Sequence, residues 1–83
     1  MRVIREFSVD EIKVSVFYMN QKFIIKFEKG NLEQNYKLSE LDFMVSSDEQ
    51  LEMMVKDKMI EDVRATFEKM NQNFYTTFNE IAL

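Results

Sequence analysis

The stretch Ile12–Phe27 constrains this chain more than any other. It reads I-K-V-S-V-F-Y-M-N-Q-K-F-I-I-K-F, two apolar-rich runs either side of Asn20-Gln21. A two-residue turn at Asn20-Gln21 sets Met19 opposite Lys22. One face of the resulting hairpin then carries Tyr18–Phe23, Val16–Ile25 and Val14–Phe27, with Ile12 at its end. The other carries Met19–Lys22, Phe17–Ile24, Ser15–Lys26 and Lys13–Glu28. Side chains alternate across a strand with period two, so the register decides each face. The first face is apolar apart from one hydroxyl and requires cover. The second is mixed and suits solvent, with opposite charges paired at Lys13–Glu28. Asn tolerates the positive φ of such a turn; Gln in the second position is less usual than Gly.

Further strands extend the hairpin on both sides. Residues 2–8 alternate and read as a first strand. A connection centred on Val9-Asp10 would pair Phe7 with Ile12, Arg5 with Val14 and Val3 with Val16. Arg5 then points inward, either as a charge that guards a sheet edge or as a side chain that snorkels past the helix. Met1 belongs to the same pattern. Gly30-Asn31 supplies the conformational freedom of a tight turn before a fourth strand over 32–38. A two-residue loop would pair Ile25 with Tyr36, and a four-residue loop would pair Phe27 with Tyr36. Either places Tyr36 and Leu38 on the buried side.

Residues 39–46 lack alternation and read as a connector whose Leu41 and Phe43 tuck under a helix. Ser46 with Glu49, or Ser47 with Gln50, has the spacing of a capping box, and Asp48 and Glu49 suit a helix N-terminus. Beyond them neither Pro nor Gly occurs. Leu51, Met54, Val55, Met59, Ile60, Val63, Phe67, Met70, Phe74 and Phe78 follow at mostly helical spacings. A helix over 48–79 would be about 48 Å long, whereas an eight-residue strand spans about 26 Å. The helix therefore breaks near 56–58, with Asp57 as a second cap, or overhangs the sheet beyond Met70.

The fold class expected is α+β: a four-stranded antiparallel β-meander with one face covered by a C-terminal helix. Its 83 residues form a single domain, with the sheet over 2–38, the connector over 39–46 and the helical segment over 47–79.

The same residues restrict function. The chain has neither Cys nor His. That excludes disulfides, Cys- or His-based metal sites and His-dependent triads. A single Gly cannot build a phosphate-cradling loop, and no Ser lies in a G-x-S-x-G elbow. We expect no enzyme activity, no cofactor and no small-molecule ligand. The acidic pairs at 48–52 and 57–62 lack the pattern of a calcium loop and read as solvated helix faces. Residues 1–46 carry equal numbers of acidic and basic side chains, so the net charge of −4 resides in 47–83. This balance argues against nucleic-acid binding. The longest apolar runs are three or four residues, too short to span a membrane, and the N-terminus lacks the apolar core of a signal peptide. A cytoplasmic setting is the expectation.

Two surfaces are candidates for protein contacts. On the outer sheet face the register groups Ile4, Phe17, Met19 and Ile24, and an apolar cluster on a nominally solvated face can mark an interface. At the C-terminus, Phe74, Tyr75, Phe78, Ile81 and Leu83 are more than an uncovered tail needs. The 3-4 spacing of Ile60, Val63, Phe67, Met70 and Phe74 would also suit a helix–helix seam, although a meander that needs a lid accounts for it first. The functional expectation is a non-catalytic protein-interaction or self-association module, a homodimer or a binder of another protein. The alternative is an acidic inhibitor or mimic that meets a basic protein surface through its helix carboxylates.

Overall fold

The computed structural model describes residues 2–81; Met1 and Leu83 of the sequence reading lie outside them. Four strands of eight residues each follow one another: β1 (Arg2–Val9), β2 (Ile12–Met19), β3 (Lys22–Lys29) and β4 (Leu32–Ser39). They form one antiparallel sheet in the order β1-β2-β3-β4. Each connection is a two-residue turn, at 10–11, 20–21 and 30–31. Asp10, Asn20, Gln21 and Gly30 take up the positive φ that these turns demand, at 54°, 51°, 63° and 59°. With both central residues left-handed, Asn20-Gln21 has the pattern whose twist matches the flanking strands.

The β2–β3 register is the one read from sequence, from Met19↔Lys22 out to Lys13↔Glu28. Ile25 pairs with Tyr36, so the third loop has two residues. The first connection differs from expectation. It centres on Asp10-Glu11, which sets Val9 opposite Ile12, Phe7 opposite Val14 and Arg5 opposite Val16. The shift is by an even number, so residues 5–9 keep their faces. Beyond Arg5 the register slips: Val3 lies opposite Phe17, and Ile4 is an extra residue between them. Such a bulge inverts the faces of everything past it. Ile4 turns toward the core and packs against it, while Val3 is half-exposed on the outer side.

After the connector, one continuous helix runs from Asp48 to Ile81. It comprises α1 (Asp48–Met54), a π-helical turn (Val55–Met59), α2 (Ile60–Phe78) and a closing 3₁₀ turn (Asn79–Ile81). Ser47 caps it, accepting from the Gln50 backbone N–H at 3.0 Å. The Gln50 side chain reaches back to the backbone N–H and hydroxyl of Ser46, at 2.7 and 2.8 Å. The anticipated break at 56–58 coincides with the π turn. The helix does not restart there, and no Asp57 cap forms, because the Ile60 N–H donates to the Val55 carbonyl and keeps the chain helical. No helix among the described residues is long and apolar enough to cross a membrane.

The core lies between the helix and one sheet face. Ile12, Val14, Val16, Ile25 and Phe27 meet Leu51, Val55, Ile60, Val63 and Phe67. Phe27 and Phe67 are its largest fully buried side chains. Truncating a buried phenylalanine to alanine costs about 3–5 kcal/mol, a large share of the roughly 5–15 kcal/mol that holds a domain folded.

Polar contacts fix how the helix crosses the sheet. Arg5 on β1 pairs with Glu52, Lys56 stands 5.1 Å over the Phe7 ring, and Arg64 pairs with Asp10 in the first turn. Gln34, buried on β4, donates to the Val63 carbonyl at 3.0 Å. The helix thus enters beside β1, crosses toward β4 and leaves past the third turn. Two expectations fail along this path. Tyr36 is on the helix side of β4, with its ring edge-on to Phe27 at 5.8 Å, yet it is 39% exposed because it stands on an edge strand. Leu41 and Phe43 do not tuck under the helix; they are 81% and 55% exposed, and Val45 is the connector residue that meets the core.

Candidate interaction surfaces

The outer sheet face carries one apolar row. Val3 on β1, Phe17 on β2 and Ile24 on β3 lie side by side, and Lys37 ends the row on β4. Met19 extends it by one residue along β2 and is exposed. Phe17 and Ile24 are partly buried. Ile4 does not belong to this group, since the bulge sends it to the core side and puts Val3 in its place. Nothing in the sequence marked that bulge: neither Gly nor Pro interrupts R-V-I-R-E-F. Elsewhere the face is polar. Lys26 lies 3.8 Å from Glu28 and 3.5 Å from Glu33, and buried Ser15 sits between longer neighbours. The row is therefore narrow and flanked by ion pairs.

The second surface is the far half of the helix. Successive residues along an α-helix turn about 100°, so positions three and four apart share a face. Ile60, Val63 and Phe67 are buried on that face, and Met70 is half-buried. Phe74, Phe78 and Ile81 continue the same stripe, but the sheet has ended. They are 47%, 48% and 73% exposed, with Tyr75 beside them at 56%. The helix extends about 16 Å beyond Met70, at 1.5 Å per residue. The long axis of the molecule is accordingly 49 Å against 25 and 20 Å for the others. The overhang anticipated from the lengths is thus present, and Phe74, Tyr75 and Phe78 lie on it. Phe74 touches both other rings, Phe78 tilted at 4.9 Å and Tyr75 edge-on at 5.6 Å.

Of the concavities along the helix among the described residues, two adjoin the sheet. One, of 310 Å³, lies where the helix leaves the sheet, between Gly30-Asn31-Leu32 and Phe67, Asn71 and Phe74. The other, of 480 Å³, lies between β4, the connector and the helix, and is lined by Leu38, Phe43, Met44, Met54 and Met59 among others. Apolar walls dominate the second, and Met44 at its rim is 99% exposed.

The carboxylates are distributed as a solvated surface requires. Glu52 is engaged by Arg5 at 2.7 Å and Lys56 at 3.0 Å. The hydrogen bond from Arg5, then that from Lys56, holds its carboxyl below the ordinary glutamate value. Asp48, Glu49, Asp57, Glu61 and Asp62 are exposed. Among the described residues no group of three or more metal-ligating side chains is arranged to hold a metal ion. Across the sheet end, Tyr18 donates to Glu40, and that hydrogen bond raises the phenol above its ordinary value.

The chain matches no family model, no curated protein and no solved structure.

Proposed function

We propose that this chain is a non-catalytic self-association module whose contact surface is the overhanging half of its helix. The observation that carries the reading is the continuity of the apolar stripe. One helix face buries Ile60, Val63 and Phe67 against the sheet and then presents Phe74, Phe78 and Ile81 to solvent. A short chain has a small core, and association adds to its apparent stability by covering such a face. Burial of each phenylalanine there is worth roughly 1.5–3 kcal/mol before the costs of association. A two-fold dimer is the commonest closed arrangement. The outer sheet row around Phe17 is the lesser surface, since two of its members are already half-covered. A cytoplasmic setting suits a chain without cysteine.

Light scattering on the purified chain tests this reading. A dimer mass is expected at micromolar concentration. Phe74→Asp combined with Phe78→Asp should give a monomer with unchanged circular dichroism, because neither ring belongs to the core. Phe17→Asp should leave the dimer intact. A monomer mass for the unmutated chain at high micromolar concentration would overturn the proposal.

A further inference from the structure

We propose that two copies associate tail to tail as an antiparallel, two-fold pair, in which Ile81 of each copy enters the groove beside the third turn of the other. The inference rests on the self-association reading and specifies its geometry.

Direction comes first. The stripe that buries Phe67 against the sheet also carries Phe74, which lines the groove beside Gly30 and Leu32. The exposed face of the tail therefore looks toward the layer of the sheet, just beyond its hairpin turns. Whatever covers it must occupy that layer. A copy turned about a two-fold axis perpendicular to the helix puts its own tail there and carries its sheet clear on the opposite side.

Register follows from the rings. Phe74 and Phe78 are the central pair of the exposed face, with centroids 4.9 Å apart. A two-fold axis midway between their levels sets Phe74 of one copy against Phe78 of the other. The same symmetry sets Ile81 against Asn71, and Asn71 is a wall of the 310 Å³ groove. The most exposed apolar side chain among the described residues of the tail thus arrives at a concavity lined by Leu32, Phe67 and Phe74.

Area and charge agree with this arrangement. An aromatic side chain offers about 150–250 Å², so the half-exposed Phe74, Tyr75 and Phe78 leave roughly 100 Å² each to cover. With Ile81, the tail alone contributes about 400 Å² per copy, or about 800 Å² in all, below the roughly 1,200 Å² of a stable interface. With the groove walls at the third turn the total approaches the roughly 1,000 Å² that marks the lower end of specific interfaces. Between Lys69 and Glu80 the helix carries no charged residue, so the tail itself brings no charge into the contact; Lys29 and Glu68 stand at the walls of the groove.

Single-cysteine variants test the geometry, since the chain has no cysteine of its own. Asn71→Cys and Ile81→Cys are prepared separately, mixed, and oxidised with copper phenanthroline; mass spectrometry then identifies the disulfide dimers. The mixed Asn71→Cys/Ile81→Cys species should exceed the share that random pairing gives. Thr76→Cys, on the far side of the helix, should not cross-link. A predominance of the two homodimeric disulfides would mean parallel tails and overturn the inference, as would a dimer mass with no tail cross-link. In both of those outcomes self-association would survive. A monomer mass would remove both.

Discussion

The Nε of Arg5 donates to Oε1 of Glu52 at 2.7 Å, joining the edge strand β1 to the first turns of the helix. Arg5 points inward, as the alternation of β1 requires. Its charge is met by a carboxylate on the helix that crosses above it. Glu52 also takes Lys56 one turn on. Both partners are partly solvated, so salt screens the pair.

This pair gives stability a defined pH dependence. The folded-state value of Glu52 lies below its ordinary value of 4.5. A carboxyl depressed on folding contributes stability that is present above the unfolded value and is lost as pH falls through the folded one. Glu52→Gln should therefore lower the melting temperature at neutral pH and flatten its decline below about pH 4.5. Thermal melts of both proteins from neutral pH into acid check this. Parallel acid limbs would mean that Glu52 carries none of the linkage.

The turns make a matched pair of predictions. Gln21 holds φ at 63°, where a side chain is disfavoured by about 1–2 kcal/mol. Gln21→Gly removes that strain, less the added freedom of the unfolded chain, and should stabilise by about 0.5–1 kcal/mol. Gly30 holds φ at 59°, and a Cβ there would meet nothing within 4 Å. Gly30→Ala thus isolates the backbone term and should destabilise by about 1 kcal/mol. Urea unfolding at constant m-value measures both changes.

Gln34 is a buried polar side chain with both ends satisfied. Its amide donates to the Val63 carbonyl, and its oxygen accepts from the Tyr36 hydroxyl. Gln34→Glu keeps the shape but removes the donor and brings a charge toward a carbonyl. The expected loss at neutral pH is about 1–3 kcal/mol or more. In acid the protonated side chain can donate again, so the gap to the unmutated protein should narrow. A gap independent of pH would show that Gln34 acts through its shape alone.

The parts of this fold legible in sequence are those set by alternation over a full hairpin. Val14, Val16, Ile25 and Phe27 form the sheet half of the core as their parity required. The helix stripe and the overhang followed from spacing and length. One signal went unused: Asp10, Asn20 and Gly30 recur every ten residues, and each takes positive φ at the first position of its turn. Reading that period would have placed the first connection on Asp10-Glu11. The bulge at Ile4 was not legible, because it depends on which of Val3 and Ile4 the core accepts, a tertiary matter. Ile4 consequently left the outer candidate surface, whereas Phe74, Tyr75 and Phe78 were found where the lengths had placed them.

The π turn at Val55–Met59 has a consequence for insertions and deletions. Buried positions on the helix run Leu51, Val55, Ile60, Val63 and Phe67. Every interval is three or four except that from Val55 to Ile60, which is five. In a regular α-helix a step of five would swing Ile60 well off the core face; the wider turn absorbs the surplus residue and restores the phase. Removing one residue elsewhere in the helix would rotate everything after it by about 100°. Removing Asp57 should instead relax the wide turn into an ordinary one and leave Ile60, Val63 and Phe67 facing the sheet. The deletion variant should fold with its melting temperature nearly unchanged, whereas deleting Ala65 should unfold the chain. The helix thus carries one spare residue, and the surplus lies at a single place.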